Sequence, residues 1–159
     1  MHIVLAFLCI SLAVAPECSS LPTKGNSEIR NSINSITNLA QITLAHINKL
    51  RTELPVPLHI EISTPSIEGL TSISHDLGLL DNELQSPYTE LLVQIEVDIS
   101  TLEGRVRSLA QTMDCTLQAR PVRQTIDNSF PESHLHMTLT KVQRYVETLL
   151  LNKDKLKVC

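Results

Sequence analysis

Apolar residues recur at every third or fourth position in four long stretches of the chain, and prolines separate these stretches. This spacing places the apolar side chains on one face of an α-helix, where they can pack against other helices. The stretches span residues 29–54, 67–84, 91–113 and 135–156. The pattern therefore predicts four amphipathic helices of about 20–28 residues each.

The residues at the ends of the stretches predict where the helices begin and end. Ser27 is a plausible N-cap of the first helix, and Pro55 ends it. Ser66 is predicted to cap the second helix, which then contains Gly69 in its first turn. A glycine inside a helix costs roughly 1 kcal/mol relative to alanine, so the second is the weakest of the four. The fourth helix is predicted to open at residues 131–133.

The lengths of the connections predict the topology. Only a few residues around Pro87 join the second and third helices, so these must be antiparallel neighbours. The other two connections are long enough to run the length of a helix. These lengths predict an all-α four-helix bundle of the up-up-down-down cytokine topology, with two long crossover loops. In the first crossover Leu58, Ile60 and Ile62 alternate with polar residues, which predicts an extended strap along the bundle.

The first 20 residues have the features of a secretory signal peptide. The run from Ile3 to Ala15 is almost entirely apolar but too short to span a bilayer. Small residues favour cleavage between Ser20 and Leu21, whereas cleavage after Ala15 would place Pro16 beside the scissile bond. A buried N-terminal helix is the alternative. The prediction is a signal peptide at 1–20, a single domain at 21–159, and a secreted, extracellular protein.

The cysteines predict one disulfide. Cleavage after Ser20 removes Cys9 and Cys18 and leaves Cys115 and Cys159 in an oxidising compartment. Cys115 follows the third apolar stretch and Cys159 follows the fourth. In the predicted topology these two helices run the same way and end at the same pole, so the two thiols can meet.

Charge and motif content disfavour several classes of function. The chain carries 13 Lys and Arg against 17 Asp and Glu, and this slight acidity argues against nucleic acid or a membrane surface as partner. His134 and His136 point apart on a helix, so they do not form a metal-binding pair and are interpreted as exposed or capping residues. Asp76, Asp81, Glu83 and the segment 96–98 are interpreted as solvated. The sequence predicts no enzyme, no metal and no cofactor.

Several short motifs resemble the leptin family, particularly the fish leptins. The segment IEGLTSI (67–73) is similar to the family segment that leads into the second helix, and QIEVDISTL (94–102) is similar to its third helix. MDCTL (113–117) resembles the family's first cysteine site, and a cysteine as last residue is its second. The start LP at 21–22 is similar to the family's mature N-terminus. The resemblance covers residues 21–159.

The resemblance implies a hormone that activates a class I cytokine receptor, the leptin receptor, and thereby regulates energy balance and feeding. It implies a monomer that acts without catalysis. A first receptor-binding surface would lie on the first and third helices at Leu39, His46, Gln94 and Asp98. A second would lie at Gly69, Leu70, Ile73, Ser133 and His134.

Competing interpretations stay open at this point. Leu70 and Ile73 also lie on the apolar stripe, which favours packing in the core over receptor contact. Leu39 lies one step off its stripe, and Ser133 can be only a helix cap. Another long-chain helical cytokine, or a secreted helical bundle that inhibits an enzyme or carries lipid, are the alternative functions.

Overall fold

The computed structural model describes residues 23–55, 61–85, 90–123 and 131–159. It contains four α-helices, with a short 3-10 turn before the third and another after the fourth. The helices are α1 (Thr23–Glu53), α2 (Leu70–Leu84), α3 (Val93–Thr112) and α4 (Pro131–Leu151), and the 3-10 turns are Glu90–Leu92 and Lys153–Lys157. Within these ranges no residue is in a β-strand. The prediction of an all-α bundle is confirmed.

Contacts between α1 and α3 show that these helices are antiparallel. Ser35 in the first half of α1 accepts a hydrogen bond from Arg105 in the second half of α3. His46, near the end of α1, meets Asp98, near the start of α3. Late residues of one helix therefore lie beside early residues of the other.

The contacts of α4 complete the topology. Arg51, near the end of α1, donates to Thr140 in the first half of α4 at 3.0 Å. Glu83, at the end of α2, pairs with Lys141 at 3.0 Å. Helices α1 and α2 thus run one way while α3 and α4 run the other, which is the predicted up-up-down-down order.

The helical stripes form a single core. Buried apolar side chains from all four helices pack together, including Ile36, Ile47, Leu70, Ile73, Leu77, Ile95, Ile99, Leu102, Leu109, Leu139 and Leu149. Thr43 interrupts the first stripe but is itself fully buried. Its hydroxyl is satisfied in the core because it donates a hydrogen bond to the Leu39 carbonyl oxygen at 2.9 Å. The prediction for the third helix was wrong at the first position of its apolar stripe, since Leu91 is 52% exposed and Leu92 is buried instead.

The ends of three helices differ from the predicted ones. α1 begins at Thr23 rather than after Ser27, while its end before Pro55 is as predicted. α2 begins at Leu70, and Gly69 rather than Ser66 occupies the N-cap position. α4 ends at Leu151, where the chain tightens into a 3-10 turn that still buries Leu156.

The second crossover lies along the groove between α2 and α3. Close to its start, the Thr116 carbonyl oxygen accepts a hydrogen bond from the Thr71 hydroxyl at 3.0 Å. Further along, the Pro121 carbonyl oxygen accepts one from the Asn82 side-chain amide at 2.9 Å. Since Thr71 and Asn82 lie at opposite ends of α2, residues 116–121 follow most of the length of that helix. This is the long crossover that the sequence predicts.

The first crossover is described from residue 61 onward. Residues 61–69 have no regular secondary structure, and the half-buried Ile62 lines a surface cavity of about 390 Å³ with residues of α2 and α4, including Leu79 and Tyr145. Of the predicted strap, Leu58 and Ile60 lie outside the described residues.

Several polar side chains that were predicted to be solvated are buried. His136, Asp81 and Asp98 all lie in the protein interior. Burial raises the pKa of Asp81, and the nearby charge of Glu96 raises it further. The prediction was wrong because apolar periodicity reports the centre of a buried face and does not report its edges.

Candidate functional site

Two rows of side chains line the junction between α1 and α3. On α1, Leu39, Ile42 and His46 follow one another at steps of three and four residues, so they share one face of the helix. On α3, Gln94 and Asp98 are separated by four residues and share a face in the same way. These five residues are called the α1–α3 seam below.

Hydrogen bonds join the predicted residues His46, Gln94 and Asp98 across this seam. One Asp98 oxygen lies 2.5 Å from His46 Nδ1, and the other accepts a hydrogen bond from Gln94 Nε2 at 2.8 Å. Asp98 is only 5% exposed, whereas Gln94 is exposed and about a third of the His46 side chain is open to solvent. Asp98 therefore orients His46 and Gln94 and offers little surface of its own.

Leu39, the fourth residue predicted for this surface, contributes mainly to packing. It is half-buried and packs against the core. The structure thus brings all four residues of the first predicted surface to one side of the bundle, but with unequal exposure.

Apolar residues that the sequence reasoning missed lie on the same two helices. Ile42 on α1 is 49% exposed, and Val93 and Val97 on α3 are more than half exposed. Val93 and Val97 are one helical turn apart, and Val97 directly precedes Asp98. The signal was present in the sequence, because all three residues are apolar but lie off the predicted core stripes.

The second predicted surface does not form a contiguous site. Leu70 and Ile73 are fully buried and Gly69 is buried beside them, which corrects their assignment to a contact surface. Ser133 and His134 lie at the start of α4, at the pole where α2 ends. Glu83, near the end of α2, pairs with α4. Gly69 lies 14 positions before Glu83, which corresponds to about 20 Å along a helix. Gly69 is therefore far from Ser133 and His134.

The start of α2 lies instead against the C-terminal segment. Cys115 and Cys159 form a disulfide with their Cα atoms 5.3 Å apart, which confirms the predicted pairing. Beside it, the Leu70 N–H donates to the Val158 carbonyl oxygen at 2.8 Å and the Thr71 N–H donates to that of Cys159 at 3.1 Å. The first N–H groups of a helix have no partner within the helix. The C-terminal backbone therefore caps α2, which explains why α2 begins at Leu70.

A side chain at position 69 should disturb this cap. A Cβ atom there would lie 2.6 Å from the Cys159 carbonyl carbon and 2.8 Å from its oxygen. We expect Gly69→Ala to lower the free energy of unfolding by about 1–3 kcal/mol, because the C-terminal backbone must move away. Chemical denaturation followed by circular dichroism measures the change.

Gly104→Ala is the matched control, because a Cβ atom at Gly104 on α3 would meet nothing within 4 Å. That variant should gain roughly 1 kcal/mol from helix propensity. Equal stabilisation of both variants would contradict the close approach of the C-terminal backbone at Gly69.

The described part of the chain contains no group of acidic, histidine and cysteine side chains arranged to hold a metal ion. In the same residues, no helix has the length and apolar character needed to cross a membrane.

Comparison of the sequence with known proteins identifies the family of this chain. No protein-family model matches the chain. The chain is 49% identical over all 159 residues to leptin-B of Oryzias latipes, and the match covers the full length of both proteins. The four-helix architecture and the disulfide that joins the end of α3 to the C-terminal segment agree with that similarity. The chain belongs to the leptin family.

Proposed function

We propose that this protein is a secreted hormone that binds and activates a class I cytokine receptor, the leptin receptor, and so regulates energy balance and feeding. The observation that carries the proposal is the 49% identity to leptin-B of Oryzias latipes over the whole chain. Family membership favours a hormone without catalysis over the inhibitor and carrier alternatives. The protein acts as a monomeric ligand and needs no cofactor.

The α1–α3 seam is the proposed contact with the cytokine-binding module of the receptor. The exposed apolar Ile42 of the seam and the exposed Val97 beside it on α3 flank a polar group that is already ordered before binding. Asp98 accepts hydrogen bonds from two sides, so His46 and Gln94 lose little conformational entropy when a partner arrives. Protein interfaces typically combine an apolar centre with polar groups that make hydrogen bonds around it.

A second contact is proposed at the start of α4, where Ser133 is exposed and His134 is half-buried. This surface would engage an immunoglobulin-like domain of another receptor copy. Two separate contacts on one ligand would bridge two receptor chains, which is how the protein would activate its receptor.

Secretion requires processing of the N-terminal segment, which lies outside the described residues. We propose that residues 1–20 form a signal peptide and that the mature protein starts at Leu21. Intact-mass measurement of protein secreted by eukaryotic cells tests this cleavage. A mature N-terminus at Pro16 would refute it.

The receptor contact is tested by binding of the mature protein to immobilised leptin-receptor ectodomain. We expect His46→Ala and Val97→Ser each to weaken binding about tenfold, the effect of losing a well-placed interface side chain. Val97→Ser leaves the hydrogen bonds of Asp98 intact, so its effect reports the contact itself. A cellular reporter of receptor signalling should show a matching shift in the effective concentration.

Asn48→Ala is the control, since Asn48 is exposed on α1 but lies about 200° around the helix from His46. Its affinity should equal that of the unmodified protein. If the unmodified protein does not bind at micromolar concentration, the proposed function is wrong. If it binds, and His46→Ala and Val97→Ser bind as tightly as the unmodified protein, only the assignment of the seam and the adjoining Val97 as the contact is wrong.

A further inference from the structure

A groove on the opposite side of α1 from the seam is lined by both apolar and cationic side chains. Its walls are the first half of α1 and the 3-10 turn Lys153–Lys157, and its volume is about 460 Å³. The half-buried Ile29 and the buried Ile33 provide apolar surface at its base. This region is called the basic groove below.

Three exposed cationic side chains, Arg30, Lys153 and Lys157, surround the apolar base. None of them forms an ion pair with another residue in the described ranges. Asp154 is the single acidic residue that lines the groove, so the local charge is positive. The whole chain has a formal charge of −4. A cluster of unpaired cations on an acidic protein is therefore a local feature of this surface.

We propose that the basic groove binds an acidic peptide segment of a second protein, with an apolar side chain of that segment seated on Ile29 and Ile33. Carboxylates of the segment pair with Arg30, Lys153 and Lys157. The charge complementarity supplies orientation and a fast association rate, and burial of the apolar side chain supplies affinity. A sulfated glycan would satisfy the cations but would leave the apolar base uncovered, so a peptide is the better fit.

The basic groove and the α1–α3 seam are separate surfaces. Arg30 and His46 are 16 positions apart on α1, which places them about 160° apart around the helix axis. The groove also lies at the pole of the C-terminal segment, whereas His46 lies near the other end of α1. The proposed binding is therefore independent of the receptor contact at the seam.

The test is fluorescence anisotropy with a labelled eight-residue peptide that alternates Glu with Leu and Phe. We expect a dissociation constant in the micromolar range that rises with salt concentration. A second peptide, with Ser in place of Leu and Phe, keeps the charge and should bind at least about tenfold more weakly. No binding of the first peptide up to millimolar concentration would overturn the proposal.

Charge-reversal variants locate the site. Lys153→Glu combined with Lys157→Glu should weaken peptide binding at least about tenfold. The matched control combines Lys49→Glu with Arg144→Glu, two exposed cations outside the groove, and changes the net charge equally. His46→Ala should also bind the peptide as the unmodified protein does. Equal losses in the two charge-reversal variants would mean that the attraction is unspecific. Binding of heparin without binding of the peptide would also overturn the proposal.

Discussion

Replacing Cys115 and Cys159 together with serine should lower the free energy of unfolding by about 4 kcal/mol. The disulfide closes a loop with a sequence separation of 44 residues, and the entropy that such a loop removes from the unfolded chain gives this value. Net stabilities of domains are about 5–15 kcal/mol, so the loss is a large share of the total. Guanidinium denaturation should show a fall of about 1 M in the midpoint.

The same variant should loosen the start of α2. The amides of Leu70 and Thr71 are bonded to Val158 and Cys159, and the disulfide holds this segment in place. Hydrogen exchange at these two amides should become faster by more than the global loss of stability explains. Treatment of the unmodified protein with a reductant is the matched control and should reproduce the midpoint of the double variant. A midpoint equal to that of the oxidised protein would contradict the prediction.

Arg120→Met should cost about 3 kcal/mol, because it leaves a buried carboxylate without its main partner. Glu103 on α3 is 1% exposed. Its two oxygens accept hydrogen bonds from Nε and Nη2 of Arg120, a residue of the second crossover. Among the described residues, the only other cation paired with Glu103 is Arg107, whose Nη1 lies 3.6 Å from Oε1 of Glu103. This contact is too long for a hydrogen bond, so it is weaker than the pair with Arg120. Equilibrium unfolding measures the loss.

A double-mutant cycle separates the ion pair from packing. Glu103→Met combined with Arg120→Met should cost less than Arg120→Met alone, since the buried charge is removed together with its partner. Arg120→Lys should lower the free energy of unfolding by less than Arg120→Met does, since it keeps the charge. It should still be less stable than the unmodified protein, because an ammonium group cannot make the two parallel hydrogen bonds of a guanidinium. Strict additivity of the two single variants would contradict the ion pair as the anchor of this crossover.

Local and periodic features were predictable from the sequence. The steps of three and four residues identified the buried faces of all four helices, because helical geometry converts sequence spacing into position around an axis. Connection lengths predicted the topology for a related reason, since a short link cannot return along a helix. The disulfide followed from the two cysteines that remain after the predicted cleavage, and the topology independently placed both at one pole.

Features that depend on distant partners were not predictable. Nothing near Gly69 indicates that α2 begins there, because the groups that cap the helix belong to Val158 and Cys159. Glu103 looks like an ordinary surface acid until Arg120 is placed beside it.

The sequence by itself determined the helices, their buried faces, the order of the bundle and the family resemblance, because each depends on local spacing or on chain length. Only the tertiary structure decided which predicted receptor residues share a surface. It joined His46, Gln94 and Asp98 by hydrogen bonds across α1 and α3, and it buried the start of α2 around Leu70 and Ile73. The physical reason is that the rotation of each helix about its own axis and the packing of its side chains set which groups meet and which are buried, and helix order alone does not fix either.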